Sequence, residues 1–216
     1  MARLTRSESQ ARTRADLLAT ARDLFLTEGY ARTSLERVAD AAGYSKGAVY
    51  SNFRTKSQLC LDVLADIHER KFTEISALLA DEGDLEQRLA RFQEWAERTL
   101  GDVGWTMLEF EFAIVAREDP QLQAALVSNL ALVRGMVAAQ LETLADAFGA
   151  RLPMSAADAA TTVLSMGLGL GIQRAIDPSL PARLITDAVR TLVRPGPPVT
   201  RRSAASTRRG SAAGSR

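Results

Sequence analysis

Apolar residues recur every three or four positions almost from end to end of this chain. Between Gln10 and Glu28, Leu17, Leu18, Ala21, Leu24 and Phe25 fall on one stripe of a helix, and Gly29 closes it. The capping box Thr33-Ser34-Leu35-Glu36 predicts a second helix to Ala42 that buries Leu35, Val38 and Ala39, with Gly43 as its stop. Ser45 then caps a short third helix, Lys46 to Asn52. Thr55-Lys56-Ser57-Gln58 opens a long helix to about Leu79, with Leu59, Val63, Ile67 and Phe72 inward. Beyond Asp81-Glu82-Gly83 the period returns in five more segments. They run from Asp84 to near Gly101, Gly104 to Arg117, Pro120 to Phe148, Ser155 to about Ile176, and on to near Arg194. No window alternates apolar and polar residues as a half-buried strand would. The pattern predicts an all-α chain of about nine helices.

The third helix is the odd one. SKGAVYSNF, from Ser45 to Phe53, holds a cation, a phenol and several small residues but only Val49 and Phe53 as an apolar face. Two short helices joined by Ala42-Gly43-Tyr44-Ser45, behind a longer one, make a helix-turn-helix. A polar face of small residues then suits the floor of a DNA major groove, about 12 Å wide. Lys46, Tyr44, Ser45 and Gly47 are the candidates for reading bases. Phosphate contacts are expected from Thr33 and Ser34 at one helix N-terminus, from Thr55 and Lys56 at another, and from the Tyr50 hydroxyl. Arg3, Arg6, Arg12 and Arg14 form a basic arm able to reach a neighbouring minor groove.

Charge supports that assignment. Residues 1–60 carry a net +4, residues 61–195 a net −8, and residues 196–216 five arginines and no acid. Only the front of the chain is suited to a polyanion. The segment 195–216 lacks apolar residues apart from Val199 and small alanines, so it is expected to be a disordered basic tail. Cys60 is the one cysteine, which excludes an internal disulfide. The opening MARLTRSESQARTRADLL has no apolar stretch of the secretory kind, and the longest charge-free apolar run, Ala159 to Gln173, is too short to span a bilayer. A cytoplasmic protein without a membrane partner is expected.

The stretch ARTSLERVADAAGYSKGAVYSNFRTKSQL resembles the N-terminal domain of the TetR family of transcriptional repressors. The matching features run from about Leu17 to Leu64. They are a first helix ending in EGY, a Thr-Ser cap, VADAAG, YSKGAVYSNF and a TKSQL helix start. Typical members carry His at the position of Ser51 and an aromatic at that of Asn52; Asn52 is kept here among the DNA-facing residues. The resemblance implies a homodimer with a DNA-binding head and a C-terminal domain that holds a small molecule and the second subunit. LGLGIQRAIDP echoes a late helix of such regulators. The implied organisation is a disordered basic arm (1–9), a DNA-binding domain (10–54), a connecting helix (55–80), a regulatory and dimerisation domain (81–194) and the tail.

Within the regulatory half, aromatic and Met density points to a pocket lined by Phe92, Trp95, Trp105, Met107, Phe110 and Met136, near Leu108 and Phe112, with Glu109 or Glu111 as polar anchors. Three glycines within the Ser155–Ile176 helix, at 167, 169 and 171, cost about 1 kcal/mol each relative to Ala, which close approach of a second subunit can recover. Leu164, Gly167, Leu168, Gly171 and Ile172 are therefore the expected dimer face, with Leu184 and Ala188 of the last helix beside them. Ordinary core packing explains the same residues. No Ser/His/Asp set, metal-ligand spacing or phosphate loop is present, and His68 is alone, so neither an enzyme nor a cofactor is expected. A DNA-binding dimer without a ligand, and a helical small-molecule carrier, remain the alternatives.

Overall fold

The computed structural model describes residues 5–193. Within them it has nine helices and no strand: α1 (Arg6–Glu28), α2 (Leu35–Ala42), α3 (Lys46–Asn52), α4 (Lys56–Ala80), α5 (Leu85–Thr99), α6 (Val103–Ala116), α7 (Pro120–Ala147), α8 (Ala156–Ile176) and α9 (Arg183–Leu192). The expected tail and Arg3 lie outside the described residues. α1 starts ahead of the expected Gln10. Thr5 Oγ1 accepts from the Glu8 N–H and Glu8 Oε2 accepts from the Thr5 N–H at 2.7 Å, a capping box that makes residues 6–9 of the expected arm helical.

Two hydrophobic cores organise these helices. One gathers Leu17, Phe25, Val38, Val49, Phe53, Leu59 and Val63 from α1–α4. The other gathers Leu89, Phe92, Leu144, Ala159, Ile185 and Val189 from α5 and α7–α9. One helix serves both. The first half of α4, through Ile67, belongs to the first core, while Ile75, Leu78 and Leu79 meet the second. From α6, Leu108 and Phe112 are fully buried in the first core rather than in a pocket. The aromatic cluster expected on α6 is thus divided between two destinations, because side chains three and four apart share a face while intervening ones point elsewhere.

Close approach fixes α6 against α1. Gly104 sits so near the Leu26 carbonyl that an added Cβ would lie 2.4 Å from that oxygen. α7 packs mainly on α8 and also on α4. Between Pro120 and Leu141 its only charge is Arg134. By length and composition alone it is apolar enough to cross a membrane, a stretch that the charge-free criterion passes over, and none of that apolar window is buried within the described chain.

Gly104→Ala should lower the melting temperature by several degrees, because overpacking against backbone costs about 1–3 kcal/mol. Gly135→Ala, whose Cβ meets nothing within 4 Å, should leave it unchanged or raise it. Thermal unfolding followed by circular dichroism separates the two.

Candidate nucleic-acid interface and cavity

The turn before α3 is built by backbone geometry. Gly43 takes φ 73°, the left-handed conformation that ends α2. Its N–H donates to the Asp40 carbonyl and the Tyr44 N–H donates to the Ala39 carbonyl at 2.9 Å, a Schellman closure. Ser45 then accepts from the Ala48 N–H and starts α3. Val49 and Phe53 are fully buried, so the helix is held by one face. The opposite face leaves Ser45, Lys46, Gly47, Tyr50 and Ser51 exposed. A Cβ added at Gly47 would meet only the Ser45 hydroxyl, at 3.8 Å.

Most cations of the head have structural duties. Arg14 is not part of a free arm: it donates to Asp62 at 2.6 Å and to the Asn52 carbonyl, and its guanidinium lies 4.3 Å from the centre of the Phe53 ring. Arg22 pairs with Asp66, and Arg37 with Glu28. Lys56 donates to the Tyr30 carbonyl at 2.9 Å and covers the Tyr30 ring, so its ammonium is not held out for a phosphate. Arg6, Arg12, Lys46 and Arg54 have no such partner among the described residues.

Three expected polar contacts differ in detail. Thr33 is buried and donates to the Gly29 carbonyl; Ser34, not Thr33, caps α2 by accepting from the Arg37 N–H. A buried hydroxyl already donating inward cannot reach a phosphate. Asn52 turns its amide inward to the Ala48 carbonyl at 2.8 Å. Both tyrosines near the recognition face donate to carboxylates: Tyr44 to Asp16 at 2.7 Å and Tyr50 to Glu36 at 2.6 Å. The hydrogen bond from Tyr50, helped by the Glu36 backbone N–H, then by Ser34 and last by the charge of Lys46, holds the Glu36 carboxyl below its ordinary pKa; the same Tyr50 bond raises the Tyr50 phenol. Composition did not reveal these pairs, since 14 and 28 residues separate their members.

The second feature is a partly open cavity of about 310 Å³ lined by residues of α4–α9. Phe72, Phe92, Trp95, Trp105, Leu141 and Val189 are among its mostly apolar walls. Of the residues expected there, Phe92, Trp95 and Trp105 line it, whereas Met107, Phe110 and Met136 do not. Leu164, Gly167 and Leu168, expected at a dimer face, also line it. Gly171 is buried, with Thr106 of α6 its nearest neighbour, so it faces this subunit rather than another.

His68, Glu109, Arg134, Gln140, Thr161 and Ser165 interrupt the apolar wall. Glu109 Oε1 accepts from the Trp105 indole Nε1–H at 3.0 Å and lies 2.5 Å from His68 Nε2. Lys71 sits over the Trp105 ring at 4.2 Å, and burial lowers its pKa. Glu111 has a different task. Its carboxylate accepts from the Tyr30 N–H at 2.7 Å and the Ala31 N–H at 3.3 Å, tying α6 to the α1–α2 connection. Burial pushes the Cys60 thiol well above its usual range, which leaves it a poor nucleophile.

Residues 17–63 match the family model for bacterial regulatory proteins, tetR family. The chain is 39% identical over 69 residues to the HTH-type transcriptional regulator TtgR of Pseudomonas putida, a stretch that covers 32% of each chain. The match therefore spans about a third of that relative. The fold extends further. The reduced form of NemR from E. coli superposes with a TM-score of 0.65 at 21% identity, over 83% of this chain and 96% of that one. FadR of Thermus thermophilus, solved in complex with lauroyl-CoA, gives a TM-score of 0.59 at 21% identity over 83% and 92%.

Glu36 should titrate below the ordinary carboxylate value in the intact protein, and its midpoint should rise in Tyr50→Phe. Side-chain carboxyl shifts followed by NMR across the acid range check this; an unchanged midpoint would show that the hydrogen bond is not what holds it.

Proposed function

We propose that this chain, whose residues 17–63 match the model for bacterial regulatory proteins of the tetR family, is a transcriptional regulator. It binds double-stranded DNA as a homodimer through α3, and a small apolar or amphipathic molecule releases it. The observation that carries the DNA reading is the exposed Lys46–Gly47 face of a helix anchored entirely from behind. Its small residues let the backbone approach base edges, and Lys46 is free to reach a guanine or a phosphate. The free Arg6, Arg12 and Arg54 add position rather than sequence information. A cytoplasmic location follows from such a partner. The division into a DNA-binding head (10–54), a connecting helix and a regulatory region (81–194) belongs to this proposal, with the qualification that α4 contributes to both cores and that α6 gives Leu108 and Phe112 to the core of the head.

A two-fold dimer supplies the second half-site. The surface suited to it is on α7 and α8, where Val127, Leu132 and Met166 are exposed together with the unburied apolar window of α7, and where Leu130 and Leu168, which also line the cavity, are exposed. Leu168 of the expected interface remains in this set; Leu184 is exposed on α9 and Ile172 and Ala188 are partly covered. Apolar exposure of this extent is what an interface uses.

The cavity is small and mostly apolar, at the lower end of the range for small-molecule sites. The lauroyl-CoA bound by the Thermus neighbour supports an apolar or amphipathic occupant. A signal has a direct route to the head: α6 presents Trp105 and Glu109 to the cavity, while Glu111, two residues on, holds Tyr30 and Ala31. The occupant must bind the state that releases DNA more tightly than the state that holds it.

Lys46→Ala should weaken binding to DNA fragments selected from the host genome by about tenfold, the scale of one lost base or phosphate contact. The helical circular dichroism should stay intact. Unaltered retention in a gel shift would overturn the assignment of α3.

A further inference from the structure

A surface meant for a polyanion should shed carboxylates, yet this one keeps two beside its tyrosines. Asp16 is exposed on α1 and holds the Tyr44 hydroxyl; Glu36 is partly exposed at the start of α2 and holds the Tyr50 hydroxyl. Tyr50 stands on the exposed face of α3 with Lys46 and Gly47 and is itself 48% exposed. Its phenol can donate to one acceptor at a time. To donate to a phosphate it must let go of Glu36. That carboxylate is then left as a negative charge beside duplex DNA, which costs free energy unless a hydrogen-bond donor replaces the phenol.

Only some duplexes supply that donor. In the major groove the N4 amino group of cytosine and the N6 amino group of adenine point outward as donors, whereas guanine and thymine offer acceptors at the corresponding positions. The sugar–phosphate backbone supplies none. We propose that Glu36 is a specificity-determining residue of the DNA interface: it penalises duplexes of arbitrary sequence and is satisfied where a cytosine or adenine amino group comes within reach. Discrimination then arises by repulsion from the wrong partner as much as by attraction to the right one. The Tyr44–Asp16 pair has the same arrangement one helix away.

This inference rests on the DNA-binding reading of α3. A plain structural role for Glu36 also exists, since an acid in the first turn of a helix favours the macrodipole. The two roles have different consequences. Loss of a structural acid weakens binding to all duplexes alike. Loss of a discriminating one strengthens binding to the wrong duplexes.

The test compares wild type with Glu36→Gln, which keeps an acceptor for Tyr50 but removes the charge, and with Glu36→Ala. Duplexes selected from a random pool by the wild type serve as specific DNA, and a scrambled duplex of equal length serves as non-specific DNA, at fixed salt. Both variants should bind scrambled DNA about five- to tenfold more tightly, with the preference for selected DNA reduced at least as much. Reselection with Glu36→Gln should relax a cytosine or adenine position. Equal weakening on both duplexes, or an unchanged preference, would overturn the proposal. If the wild type selects no duplex at all, the DNA-binding reading falls first and this one with it. Circular dichroism of both variants keeps misfolding apart from altered recognition.

Discussion

A helix of seven residues can bury one face and no more. In α3 that face is Val49, continued by Phe53 just past its end, and both are completely removed from solvent. Each contributes about 1.5–3 kcal/mol of burial. Everything on the opposite side is left to solvent. The Arg14 side chain reinforces the arrangement from above, stacking on Phe53, holding the Asn52 carbonyl and pairing with Asp62, so that α1, α3 and α4 are fastened at one point. A free surface with a rigid support is what a recognition element requires, and the functional reading depends on it.

The second constraint is the sharing of α4 between two cores. A helix whose two ends pack in different cores cannot move in one without disturbing the other. α6 adds short-range links: its Gly104 lies against the Leu26 carbonyl, and Glu111 holds two backbone N–H groups that follow Gly29. Gly29 itself has φ 84°, and a Cβ there would press within 3.3 Å of the Glu111 carboxylate. The proposed control by a ligand therefore needs no long pathway, since cavity wall and head are two residues apart on one helix.

The helices were legible because their signals are local. Gly43, Ser45 and Thr55 set their turns through bonds to residues three to five away, and the apolar period of α1 and α4 declares their buried faces. The front face of α3 was legible by subtraction, since Val49 and Phe53 are its only large apolar residues. What failed to show were pairings across long stretches of chain. Arg14 reads as a member of a basic arm until Asp62, 48 residues on, is seen beside it. Thr33 reads as a cap until the Gly29 carbonyl takes its proton. The density of Trp, Phe and Met located the neighbourhood of the cavity but could not sort its walls. Phe112 and Leu108 turn to the head, and Met107, Phe110 and Met136 turn elsewhere, because rotation about a helix is fixed by its neighbours and not by composition. Glu111 and Glu109 look alike in sequence and serve opposite sides of α6.

The claim that the outer face of α3 enters a groove is tested most directly at Gly47, where the fold itself leaves room for a side chain. Gly47→Trp should retain the wild type's oligomeric state and its melting temperature to within a few degrees while losing detectable binding to the wild type's selected duplex, since a bulky ring would hold the helix off the base edges. Undiminished binding by a well-folded Gly47→Trp would contradict the account.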